Sequence, residues 1–425
     1  MSFVLKDGTF ISANPLADLL GLTSIALILL FTLYIALRWP DISKIIYIAL
    51  FVRVFTLLYG HYISPLPDST ADAETLELVS ANMGHGGFLY VLSQFRGPDP
   101  RFISWLIAIP YSLFGRSILL AKSISLFFGM GTVFFGWLLA QKVWNKAIAN
   151  KVGWTIALFP SLILYSVLTL REVYITFFTV LILYGIVTWA KTKSFKSIVL
   201  TMIGFLGATF FHGAMFVGGF VFLIIVGVSN LIFFFKSLIN FRINLKIFTF
   251  LLLLTISSGF YISNKIPIPY LGNFDRSINL DYIVSKTKGA TRGIASYPQW
   301  TVIETPIELL YKAPIRSLLF LFSPLPWSVT KAKHLIGMLD SFLYMYLSYL
   351  IFRNIKVIWK DPALKIIFII LLSYLFTFGI GVGNFGTGIR HRSKFTFIFI
   401  LLAAPLIKKL NVFKKIGRTK NFRKY

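Results

Sequence analysis

The chain has 425 residues, of which 57% are hydrophobic, 17% aromatic and only 13% charged, with a mean hydropathy of +0.78. That composition excludes a soluble globular domain and indicates an all-α, polytopic transmembrane helical bundle. The formal charge of +27 does not indicate nucleic acid, because Lys and Arg fall in short clusters between apolar runs, as the positive-inside bias predicts.

Taken in order, apolar runs predict about eleven spans, at 17–37, 43–60, 117–141, 152–169, 173–190, 197–211, 214–234, 247–263, 335–352, 364–382 and 395–407. The first lacks a basic leader and a small-residue cleavage site, so it reads as a retained span. An odd count puts the N-terminus outside and the C-terminus in the cytoplasm. Lys and Arg then gather on the cytoplasmic side, around Arg38, Lys44, Lys142, Lys151, Lys191, Lys236 and Arg353, and in a basic tail at 408–425. Residues 1–425 read as one membrane domain with two long outer segments, 61–116 and 264–334. Within these, Phe102–Phe114 contains Pro110, and Ile307–Trp327 contains Pro314, Pro324 and Pro326. Both read as interfacial helices on the extracytoplasmic face; the alternative is that a pair of them crosses the bilayer. The sequence contains no P-loop, no dinucleotide fingerprint and no 20–50-residue repeat.

The first outer segment holds the densest group of acids. Asp68, Asp72, Glu74 and Glu77 fall within ten residues of a chain that has 15 Asp plus Glu in all. Pro65 and Pro67 stiffen the approach, and Ser69 or Thr70 is positioned to cap a short helix. A helix starting at or before Asp68 would set Asp68 and Asp72 one turn apart on one face. A solvated helix cap explains the acids equally well. Glu74 and Glu77, with His85 among the glycines that follow, are the candidate sugar contacts.

Further along, Arg171-Glu172 sits between two spans with no room for a loop, as a geometry-fixing ion pair or as functional charge. The run Gly386-Thr-Gly-Ile-Arg390-His391-Arg392-Ser-Lys394 carries positive charge on the outer side, against the charge bias. Arg-His-Arg at a helix start suits a phosphate or pyrophosphate, with lipid headgroups as the alternative ligand. Arg53 falls inside the second span and is expected to pair with Asp340 or to reach the same phosphate. His212 reads as a packing histidine. Cysteine is absent and the five histidines lack metal-ligand spacing. The sequence points to no certain cofactor, and a divalent cation held by the acids stays open.

The acidic first outer loop with Tyr111-Ser-Leu-Phe-Gly115, the hairpin Phe159-Pro-Ser-Leu-Ile-Leu-Tyr165…Leu170-Arg-Glu172, Pro324-Leu-Pro-Trp327 and Arg390-His-Arg392 resemble bacterial GT-C superfamily glycosyltransferases. The resemblance is clearest over residues 60–230. It implies a polyprenyl-phosphate- or diphosphate-linked sugar donor, a saccharide or lipid-linked acceptor, and an active site facing outward from the bacterial inner membrane. It also implies a base or metal ligand at Asp68 or Asp72, with Glu172 next in line, and phosphate contacts at Arg390 and Arg392. Asp68-x3-Asp72 departs from the adjacent or alternating acids of that superfamily, and no large soluble C-terminal domain is present. Polymerases that join undecaprenyl-diphosphate-linked repeat units in O-antigen or capsule assembly share this size, basicity and topology. A non-enzymatic transporter of lipid-linked oligosaccharide is the remaining alternative.

Overall fold

The computed structural model describes residues 15–239, 279–290, 295–329 and 332–408, with the pairs 3–4 and 10–11 and a few isolated positions. The expected span at 247–263 and the tail beyond Lys408 lie outside the described residues. The fold is helical; Phe3–Val4 (β1) and Phe10–Ile11 (β2) form a small antiparallel pair with Phe3 opposite Ile11.

Among the described residues, six helices are long and apolar enough to cross a membrane. They are α1 (Pro15–Arg38), α2 (Ser43–Tyr62), α6 (Ile118–Val143), α9 (Glu172–Thr192), α11 (Phe216–Ile239) and α16 (Pro362–Gly381). At 1.5 Å per residue, 20 or more residues reach across about 30 Å of hydrocarbon. Shorter helices fill the rest of the bundle: α7 (Lys146–Leu158), α8 (Pro160–Tyr165), α10 (Phe195–Phe211) and α18 (Thr396–Ala403). Every residue of α18 is buried, as expected of a helix that is apolar all round. By contrast, α1 exposes Leu19, Leu27, Leu30 and Leu37, a face suited to lipid.

The connections separate into two ends. At one, Lys146 pairs with Asp41 at 2.8 Å, Lys191 donates to the Lys142 carbonyl, and Lys151 donates to the Pro405 carbonyl. We call this the lysine end. The opposite end carries α3 (Asp72–His85), α4 (Phe88–Ser93), α5 (Phe102–Phe114), the turn before α9, the turn between α10 and α11, and α17 (Phe385–Ser393). The later helices are α12 (Leu280–Ala290), α13 (Leu309–Phe322), α14 (Ala332–Arg353) and α15 (Ile355–Lys360).

The expected span at 152–169 is not one helix. It breaks at Phe159, whose backbone is extended (φ −70, ψ 121), and restarts at Pro160. Proline has no N–H to give the carbonyl four residues back and restrains the residue before it. Arg53 supplies the missing donors: Nη2 reaches the Ile156 carbonyl at 3.1 Å and Nη1 the Ala157 carbonyl at 2.9 Å. Arg53 therefore closes a helix end and does not pair with Asp340. After Tyr165 the chain runs through six non-helical residues to Glu172, where the sequence appeared to leave no room for a loop.

The acidic loop also differs from expectation. α3 starts at Asp72, so Asp68 lies before it, in a turn closed by Ser69 N–H donating to the Leu66 carbonyl. Asp68 (φ 59) and Ala71 (φ 55) occupy the left-handed region, and the N-cap is Ala71, with no side-chain cap from Ser69 or Thr70. Aspartate tolerates that region better than most residues; alanine stays there only where the surroundings enforce it. Two contacts do so. Thr169 Oγ1 donates to the Ala73 carbonyl at 2.9 Å, and Ala73, Tyr165, Leu168 and Leu170 form a small apolar core separate from the main one. On its other side α3 lies on α5, where Gly84 approaches Tyr111 so closely that a Cβ would sit 2.8 Å from the tyrosine Cβ.

Candidate functional site

α17 is built by its own sequence. Asn384 is extended and its side chain accepts from Thr387 N–H at 2.8 Å, which starts the helix at Phe385. Gly388 passes Tyr297 where a Cβ would stand 3.0 Å from the phenol oxygen. Because the helix starts this early, Arg390, His391 and Arg392 fall in its last turn and not at its start. The expected help from N-terminal N–H groups is therefore absent. The C-terminal end of the helix dipole favours these cations instead.

Arg390 is the junction of the cluster. Its Nη1 donates to Asp72 Oδ2 at 2.5 Å, and its Nε lies 3.7 Å from Glu172 Oε1. Lys394, one turn on, brings its Nζ to 3.8 Å from the same Glu172 oxygen. Burial deepens along this line: the Asp72 side chain is 64% exposed, Arg390 15%, and Glu172 and Lys394 0%. Neither Glu172 oxygen accepts a hydrogen bond, and the buried Nε atoms of Arg390 and Arg171 donate none. Of the two readings of Arg171-Glu172, the mutual ion pair is not formed; Glu172 faces Arg390 and Lys394. The hydrogen bond from Arg390, and then its charge, holds the Asp72 carboxyl below the usual carboxylate range, with the charge of Arg171 adding a smaller push.

His391 completes the inner layer. Burial, then the charge of Lys394, pushes its imidazole well below the usual range, and its Nδ1 shares a hydrogen bond of 2.5 Å with Lys394 Nζ. The His212 ring lies 5.1 Å from that of His391, centroid to centroid. Beside Asp72, Tyr165 donates to Asp68 Oδ2 at 2.8 Å. Burial, then the charge of Asp68, raises the Tyr165 phenol far above its ordinary value and keeps it a donor. Three basic side chains, Arg171, Arg390 and Lys394, thus stand among Asp68, Asp72 and Glu172 at one end of the bundle, and burial pushes the Lys394 amine well below the usual range.

Other expected site residues lie elsewhere. Arg392 is fully buried and committed to structure: it bonds Asp340, the carbonyls of Leu321, Ser323 and Gly337, and the Ser341 hydroxyl. Glu77 accepts a bidentate pair from Arg116 at 2.9 and 2.7 Å and a bond from Tyr111 at 2.9 Å. Glu74 is exposed on α3, and His85 is exposed at the opposite end of α3, about 20 Å from Asp72. Arg53 lies in the α7–α8 break. Among the described residues no three His, Asp or Glu side chains converge in a way that holds a metal ion.

Sequence reasoning named Lys394 only as a member of the basic run and gave Tyr165 no role, while His212, read as a packing histidine, packs against Phe378 and His391. The signal for Lys394 was its spacing from Arg390, since residues four apart meet on one helix face while Arg392, two apart, turns away. Tyr165 gave no local signal, because burial against a distant loop is not written in neighbouring residues. No family model, curated protein or solved structure matches this chain, and the chemistry of the site is carried by its geometry alone.

Proposed function

We propose that this chain is a membrane-embedded glycosyltransferase of bacterial surface-polysaccharide assembly. It moves a sugar from a polyprenyl-phosphate or -diphosphate donor to a saccharide or lipid-linked acceptor. The observation that carries this reading is the graded cluster in which exposed Asp72 borders Arg390, and Arg390 borders buried Glu172 and Lys394. The lysine end, by its charge, faces the cytoplasm, so the cluster opens on the extracytoplasmic face of the inner membrane.

The chemistry follows from the side chains. An acceptor hydroxyl attacks the anomeric carbon and loses its proton to Asp72 or Asp68. The bond from the anomeric carbon to phosphate oxygen breaks, and the lipid phosphate leaves with the electron pair. Arg390 and Arg171 hold the charge that develops, and do so most effectively at a site largely shielded from solvent. Glu172 and Lys394, behind Arg390, fix where its guanidinium lies. The purified protein is then expected to transfer sugar from a synthetic polyprenyl-linked donor. A deletion strain is expected to lack either one sugar or long chains; single-repeat glycolipid without long chains identifies a repeat-unit polymerase. No transfer from either donor class, together with unchanged surface polysaccharide, would overturn the proposal.

A further inference from the structure

Arg390 is held from two sides. Asp72 approaches from the exposed side at 2.5 Å, and Glu172 from the buried side at 3.7 Å. The inner contact is fixed by the start of α9, deep in the bundle. The outer contact belongs to the first residue of α3, which follows two non-glycine residues in the left-handed region and is docked by the Thr169 bond and the small Ala73 core. Asp72 presents one carboxylate to a guanidinium whose Nε, like that of Arg171, donates no hydrogen bond. Asp72 uses one oxygen on Nη1 alone, whereas a phosphate presents two unesterified oxygens as a diester or three as a monoester, which a planar fork binds in pairs.

We propose that Asp72 is the internal occupant of an anion site. A phosphate monoester or diester arriving at Arg390 and Arg171 displaces the Asp72 carboxylate and lifts the first turn of α3. The second half of the inference rests on the glycosyl-transfer reading: the displaced carboxylate becomes the acceptor's base. Arg390 is the chief cause of the low Asp72 pKa, so a phosphate that takes Arg390 leaves a more basic carboxylate. Donor binding and base release are thereby one event, and each anion weakens the other's hold on Arg390 by the same factor.

The test measures binding of inorganic pyrophosphate to the full-length protein in detergent, apart from any transfer. Asp72→Asn is expected to bind about two- to fivefold more tightly than wild type, the gain from removing a largely exposed competitor. Arg390→Gln is expected to lose most of the binding. A second measurement needs no change at Asp72. The chain has no cysteine, and Ala73 is 3% exposed, so Ala73→Cys reports lifting of α3 through its thiol-labelling rate. Saturating pyrophosphate should raise that rate. Equal affinity in wild type and Asp72→Asn, or an unchanged labelling rate, overturns the displacement. Pyrophosphate binding to neither form removes the anion site, and the phosphate role in the proposed function with it. Tighter binding by Asp72→Asn in a protein that transfers no sugar keeps the displacement and discards the transferase.

Discussion

Two arginines two residues apart, Arg392 fully buried and Arg390 15% exposed, divide the molecule into a seam and a proposed site. At the seam between α13, α14 and α17, every side-chain nitrogen of Arg392 donates, to Asp340, Ser341 and three carbonyls. Arg316, close by, is similarly used, with the carbonyls of Gly379, Thr301, Ile380 and Val382. At the site, Arg390 makes one hydrogen bond, to an exposed carboxylate, and its Nε makes none. Burial alone does not separate structural from functional cations; the degree to which their donors are used does. A guanidinium whose donors are all spent on backbone carbonyls has nothing left to offer a ligand.

The largest expected effect lies in the seam. Arg392→Ala strands buried Asp340 and three carbonyls, and breaking a buried pair costs about 3–5 kcal/mol. Thermal unfolding in detergent should show a large loss of stability, or no folded protein at all. A melting curve close to wild type would break the comparison. At the site, Arg390→Lys keeps charge but loses the fork. Transfer from a polyprenyl-linked donor should fall about ten- to a hundredfold, the equivalent of one charge-assisted hydrogen bond of about 1.5–3 kcal/mol. Melting should hardly move, and a melting loss as great as that of Arg392→Ala would merge site and seam.

Smaller effects sharpen the outer edge of the site. Tyr165→Phe removes one hydrogen bond to Asp68, about 1 kcal/mol, and should lower the turnover rate about fivefold. An unchanged rate at saturating acceptor would leave Tyr165 as packing only. The pH dependence of the Asp72–Arg390 contact should be smaller still. The folded Asp72 pKa is depressed, so any stability from this contact is present above the ordinary carboxylate range and fades as pH falls through the folded value. Most of the Asp72 side chain faces solvent, so the contribution is below about 1 kcal/mol and screened by salt. Ala73→Cys labelling, taken relative to a fully exposed cysteine at the same pH, should stay slow at neutral pH and quicken only in acid. A relative rate that climbs as pH rises would reverse the sign and refute the pairing.

What the sequence made legible follows from the range of each signal. Hydropathy and helical spacing are local, so α5 runs over Phe102–Phe114 as expected, and α10 and α16 stand within a few residues of their apolar runs. The break at Phe159–Pro160 was hidden because an apolar window averages over a proline. The gathering of Asp72, Glu172 and Arg390 was legible only as three suspicious clusters, since 318 residues separate Asp72 from Arg390. The roles of Arg392 and Arg53 were misread for one reason: each finds its partners on helices far away in sequence. Composition reveals that a cation is out of place but not which carbonyls wait for it.

Those waiting carbonyls bear on how the chain is made. A helix end left open within hydrocarbon is not stable alone, since each unsatisfied backbone group there costs several kcal/mol. The α7–α8 pair therefore does not complete its backbone bonding as an independent unit; it needs the guanidinium of α2. Arg53 precedes the Ala157 carbonyl it binds by 104 residues, so during synthesis the donor is already in place when the break emerges. Until then Arg53 is itself a costly guest in its span. The two defects mature together: insertion of the second helix is completed only by the arrival of the seventh, and neither half of the bundle is finished without the other.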